Sequence, residues 1–161
     1  MVTVKEHNKV KSIKLSHYIP EQEKQEMLLR TIYYEARRAG LDPELILAIV
    51  DTESHFRKYA ISSKGARGYM QIMPLWVKQI GSSQDNLFHL RTNLHYGCTI
   101  FRHYLDIEEG NIVFALGRYH GARGKNTYAN RVISTWNRWQ TPALSANESE
   151  PPVQSSTNRH F

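Results

Sequence analysis

A single cysteine, Cys98, is all the thiol this 161-residue chain carries. No internal disulfide can staple it, so the fold must rest on a packed core, for which the length is sufficient. Cys98 sits among Tyr96, Ile100 and Phe101, the setting of a buried thiol, and no base stands ready to make it a nucleophile. No apolar run approaches the length of a membrane span. The N-terminus lacks the apolar core of a secretory signal, so export would depend on a signal absent from this sequence or on another route. The net charge is +6, but no run of five basic residues occurs and no nucleic-acid module is recognisable. Despite eight histidines there is no His-Glu-x-x-His and no close Cys/His spacing, so neither a metal nor another cofactor is expected. The most informative absence is acidic. After Glu53, thirty-one residues pass before the next carboxylate, Asp85.

Patterning divides the chain into three parts. Residues 1–20 and 141–161 are polar and lack a sustained pattern, which reads as partly disordered N-terminal and C-terminal segments. Residues 21–140 read as one helical domain. A helix over 21–39 stops at Gly40 and carries a stripe of Met27, Leu28, Ile32 and Ala36 with Tyr33 or Tyr34. Asp42 as N-cap and Pro43 at the first helical position open a second helix that runs to about Ser54. Residues 57–70 predict a loop with a short hairpin. Further helices follow at Pro74–Ile80, at Thr92–Leu105 with Leu94, Cys98, Phe101 and Leu105 inward, from Asn111 to about Tyr119, and at Thr127–Trp139 with Val132, Ile133, Trp136 and Trp139 inward. The string Gly-Ala-Arg-Gly occurs at 65–68 and again at 121–124, which two similar tight turns explain better than a repeat architecture.

Glu53 closes the apolar run Leu45 to Val50, and positions 46, 49, 50 and 53 share one helical face. A carboxyl among apolar side chains loses hydration of its charged form, so its pKa rises and it can hold a proton near neutral pH. A general acid that protonates a glycosidic oxygen needs that property. Spacing alone favours the ordinary alternative, a helix-end glutamate that reaches solvent or pairs with Arg57.

The surrounding residues shift that balance. Glu53-Ser54-His55-Phe56, Ala60-Ile61-Ser62 and Gly65 to Pro74 are followed by Asn93-Leu94-His95-Tyr96-Gly97, by Ala115 to Gly121, and by Tyr128 with Arg131-Val132. These blocks, in order across about residues 41–139, resemble the SLT-type lytic transglycosylases, bacterial wall enzymes with a lysozyme-like helical fold related to goose-type lysozyme. The resemblance implies a mainly α domain with a small β-hairpin insertion. It also implies that Glu53 is the sole acid and base, that Ser62 orients the sugar near the scissile bond, and that Met70 and Gln71 line the glycan cleft. Tyr119 would hold the glutamate or the substrate, and Tyr128 would add a second hydroxyl to the groove. The chain departs from the family pattern at Lys58, Tyr69, His120 and Gly121-Ala122. His120 could bind sugar or cap a helix end as imidazolium, and its position favours the cap.

Such an enzyme would cleave the bond between N-acetylmuramic acid and N-acetylglucosamine in peptidoglycan strands, leaving a 1,6-anhydro end. It would work as a monomer in the periplasm or cell envelope, without nucleic acid, and a single-domain chain suits service to a secretion or conjugation apparatus. Two other readings stay open at this point. A goose-type lysozyme-like hydrolase needs a second acid, and Asp85, Asp106, Glu108 and Glu109 all lie outside the matching blocks. A non-catalytic glycan-binding or secretion-assembly protein would have no need of Glu53. Trp76, Trp136 and Trp139 could stack on sugars, although Trp136 and Trp139 have core-compatible spacing.

Overall fold

The computed structural model describes residues 4–140, seven helices joined by short loops and one longer loop. They are α1 (Val4–Leu15), α2 (Gln22–Arg38), α3 (Pro43–Ser54), α4 (Leu75–Ile80), α5 (Leu90–Ile107), α6 (Ile112–His120) and α7 (Asn126–Trp139). The expected C-terminal segment 141–161 lies outside the described residues.

The centre of the fold is α3. Every residue from Leu45 to Asp51 is buried, as expected of a helix that is apolar nearly all round. It starts as its sequence dictates, with Asp42 Oδ1 accepting from the Glu44 N–H at 2.8 Å and Pro43 in the first turn. α7 makes the most extensive packing against it, and α2 covers another side. α5 and α6 complete the shell by packing on α2, α7 and each other. The α3–α7 seam also has a polar stitch, because the Trp139 Nε1–H donates to Asp51 Oδ2 at 3.0 Å. Phe56 meets Trp139 edge-on, with ring centroids 5.6 Å apart.

Two expectations need correction. The N-terminal segment contains the helix α1, and Leu15 and Lys11 on it are fully buried. Lys11 Nζ donates to Tyr33 Oη and to Glu44 Oε1, both at 2.6 Å. A helix seated partly through a buried ammonium leaves a weak apolar pattern, and this is why composition read it as unstructured. On α2, Met27 is exposed and Leu29 is buried in its place. The inward stripe includes Gln25 and Glu35, whose side chains are satisfied by the Ile19 carbonyl and by Arg38 and His95. The small β insertion falls in the long loop and, in the described residues, consists of two isolated antiparallel bridges, Ile61 with Arg67 and Arg67 with Ile72.

That bridged loop is docked by α5. Asn93, fully buried, accepts from the Met70 N–H at 2.8 Å and donates to the carbonyls of Arg67 at 2.9 Å and Leu87 at 2.8 Å. Gly68 has φ +76, and a Cβ there would lie 2.9 Å from the Leu87 oxygen. One turn beyond Asn93, Gly97 leaves room for Met70, whose Sδ any Cβ at position 97 would strike. Asn93 and Gly97 therefore act as a pair, one binding the loop backbone and the other admitting its side chain. Replacing Asn93 by alanine strands three buried backbone groups, so Asn93→Ala is expected to lose roughly 2–4 kcal/mol of stability, read by urea unfolding.

Candidate active site

Glu53 lies in the last turn of α3, half-buried, with Ser54 fully buried beside it. Tyr128, in the first turn of α7 and itself buried, donates its hydroxyl to Glu53 Oε1 at 2.6 Å. The carboxyl pKa is pushed up to about 7, chiefly by burial, and the Tyr128 bond and the charge of Arg131 offset part of that rise. Arg57, the partner considered from sequence, instead donates its Nε–H to the Ser54 carbonyl at 3.0 Å.

Two tyrosines flank this acid, with roles other than those expected. Tyr128 holds the glutamate. Tyr119 donates to the Met70 carbonyl at 2.7 Å, joining α6 to the loop. Both phenols are raised well above their usual range, first by burial and then by the nearby Glu53 charge, so both stay protonated donors.

His120 stacks flat on Tyr128, with centroids 4.1 Å apart and planes within 4°. The expected imidazolium cap is not what ends α6. Gly121 does so in the left-handed region, φ +79, where its N–H returns to the Arg118 carbonyl. Burial, with the charges of Arg131 and Lys64, lowers the His120 pKa and favours the neutral ring. The structure thus brings Glu53, Tyr128 and His120 together in one contact chain.

The other expected site residues build the loop wall. Ser62 Oγ accepts from the Ala66 N–H at 3.0 Å and closes the turn. Gln71, at φ +54, spends its amide on the carbonyls of Ala60 at 3.1 Å and Gly68 at 3.0 Å. Met70 is fully buried, so its side chain does not line a cleft, contrary to expectation. It packs against Gly97 and serves the site through its backbone.

Sequence reasoning named Arg131 within a matching block but gave it no role, although it stands one helical turn beyond Tyr128 on α7, a spacing that could have exposed it. It also gave no role to Asp51, Asn93 or Gly97. Three of the acids outside the matching blocks have other partners. Tyr96 donates to Asp85 at 2.6 Å, Arg102 pairs with Asp106, and Arg118 and Arg123 both pair with Glu108. The charge that perturbs Glu53 is a guanidinium, not a second carboxylate.

This geometry can be set beside known proteins. The family model of the Transglycosylase SLT domain matches residues 30–140. The chain belongs to the SLT transglycosylase family. The SLT chain is 32% identical over 104 residues to a transglycosylase of Enterobacteria phage PRD1, a match covering 65% of this chain and 38% of the relative. It is 28% identical over 114 residues to membrane-bound lytic murein transglycosylase F of Desulfosudis oleivorans, covering 66% of this chain and 25% of the relative. The chain therefore spans well under half the length of these curated relatives.

Among solved structures, the lytic transglycosylase Slt of Pseudomonas aeruginosa, an inactive Glu-to-Gln variant, aligns with a TM-score of 0.61 at 25% identity. That alignment covers 68% of this chain and 23% of Slt. The 70 kDa soluble lytic transglycosylase of Escherichia coli aligns with a TM-score of 0.53 at 21% identity, covering 66% and 19% respectively, and this supports the shared fold. The SLT domain here is mainly α, consistent with a lysozyme-like fold.

The raised acid has a consequence for stability. Between about pH 4.5 and 7 the folded chain keeps the Glu53 proton that the unfolded chain releases. Its contribution to stability is therefore full below about 4.5 and is lost as pH rises through about 7. Glu53→Gln, which removes the ionisation, is expected to exceed wild type by about 3 kcal/mol at alkaline pH. The difference should disappear in acid, as checked by denaturant unfolding at both extremes.

Proposed function

We propose that this SLT domain is a peptidoglycan lytic transglycosylase acting in the periplasm or cell envelope. It cuts the β-1,4 bond between N-acetylmuramic acid and N-acetylglucosamine, with Glu53 as acid and then base. The observation that carries this reading is the environment of Glu53: a carboxyl poised at about 7, held by Tyr128, with no partner carboxylate acting on it. Family membership and the Slt variant described as inactive, with glutamine in place of a glutamate, support the same assignment.

Tyr128 occupies Oε1, which leaves Oε2 to carry the proton toward substrate. Glu53 donates it to the glycosidic oxygen as the bond breaks. The acetamido group of the sugar can stabilise the cationic centre, a substrate-assisted course that replaces the missing nucleophile. The carboxylate then takes the proton of the muramic 6-hydroxyl, and that oxygen closes on the anomeric carbon to give the 1,6-anhydro ring. The hydroxyl prevails over water because an oriented intramolecular reactant has a very large effective concentration.

Two outcomes are expected from purified wall. Wild type releases anhydro ends roughly eighteen mass units lighter than hydrolysis would give, one water being withheld. Glu53→Gln folds and binds but loses release by at least about a hundredfold, and clearance at the wild-type rate would refute the assignment. Reducing ends in the wild-type products would instead favour the goose-type hydrolase reading. The acid form is the reactive one, so kcat/KM is expected to fall as pH rises through about 7.

A further inference from the structure

The connection between α6 and α7 is built to present one side chain. α6 ends at His120, and Gly121 and Gly124 both lie in the left-handed region, at φ +79 and +85. The turn folds back over α6. The Ala122 N–H donates to the Gly117 carbonyl at 2.8 Å, and a Cβ at position 117 would lie 3.0 Å from Arg123 Cα. Arg123 ties the turn to the end of α5, its Nε–H donating to Glu108 Oε1 at 2.6 Å, and its guanidinium lies over the Phe114 ring at 4.4 Å. The last residue of α6 is thereby held against the first turn of α7.

What this turn delivers is the imidazole of His120, flat on the Tyr128 ring with centroids 4.1 Å apart and planes within 4°. His120 is exposed and Tyr128 is buried, so the histidine covers the solvent side of the phenol ring. The charged and titratable groups around it are Arg131 and Tyr128 on α7, Lys64 on the long loop and Glu53 on α3. With two cations near, the imidazolium is disfavoured, and the stack is one neutral ring on another where Glu53 exchanges its proton.

The consequence lies one bond further in. A tyrosine that changes its χ1 rotamer carries its hydroxyl to a new place. A ring lying flat on its outer face fills the space into which it would swing. We infer that His120 is a positioning residue of the cleavage reaction: its ring face keeps Tyr128 on Glu53 Oε1 and so leaves Oε2 to the substrate. The inference rests on the proposed function, and it requires an aromatic ring at position 120 rather than an imidazole nitrogen.

Kinetics on soluble glycan strands test it. His120→Ala is expected to lose about tenfold in kcat with KM unchanged, the worth of one stacked aromatic pair. His120→Phe, which keeps a flat ring, is expected to recover most of that loss. The Tyr128 bond holds the Glu53 pKa down, so releasing it lets the carboxyl rise. The fall of kcat/KM near pH 7 is therefore expected to move to higher pH in His120→Ala and in Tyr128→Phe, and to stay in place in His120→Phe. A purely structural role would lower the rate without moving this profile. Adding His120→Ala to Tyr128→Phe is expected to cost nothing more, as a residue acting through that hydroxyl requires. Carbon NMR of labelled glutamate carboxyls reads the same titration without substrate. An unmoved Glu53 titration in His120→Ala, a phenylalanine variant as impaired as alanine, or full additivity of the two substitutions would each overturn the inference. Circular dichroism checks each fold, and His120→Asn replaces His120→Ala in every comparison should the alanine variant not fold. The carboxyl shift in a protein that cuts no wall would sink the enzymatic reading and leave the positioning contact standing.

Discussion

The hydrogen bond from Tyr128 to Glu53 joins the first turn of α7 to the last turn of α3, two helices far apart in sequence. Its geometry is available only because the rest of the α3–α7 seam is closed by apolar packing and by the Trp139–Asp51 bond near the opposite end of α7. The carboxyl is thus fixed in place by a donor, and it is lifted in pKa by the same packing that fixes it. The two influences oppose each other: burial favours the neutral acid, while the phenol and Arg131 favour the anion. Burial wins by a margin that leaves both protonation states accessible near neutrality, which suits the proposed role of giving a proton and taking one back.

The remainder of the site can be understood as support for that pair. The long loop has little regular hydrogen bonding of its own, only two isolated bridges. It is held from below by Asn93, from the side by Tyr119, and internally by Ser62 and Gln71. Polar side chains therefore do what a β-ladder does elsewhere, satisfying buried backbone groups and fixing the approach of the loop to Glu53.

Much of this arrangement was legible in the amino-acid order. Asp42-Pro43, Gly81, Asn111 and the apolar periods placed the helices from α2 to α7 within a few residues, because caps and periodicity are local. Glu53 stood out for the same reason, an acid ending an apolar run. What escaped notice was relational. Met70 looked like cleft lining, and only packing against Gly97 shows it to be core. Tyr119 and Tyr128 could not be told apart until their hydroxyls had partners, and His120 read as a cap until its ring was seen lying on Tyr128. Helix α1 was missed because one of its anchors, Lys11, counts as polar in any composition argument although it is buried.

That lysine bears on where the domain begins. The family match starts at residue 30, inside α2, yet Lys11 bridges to Tyr33 and Glu44, placing α1 against both α2 and the opening turn of α3. A chain trimmed to the family boundary would leave Glu44 without its cation and uncover the surface that Leu15 seals. The matched stretch and the packed unit thus differ in extent: α1 and the first eight residues of α2 lie before residue 30, yet they brace the helix that carries Glu53.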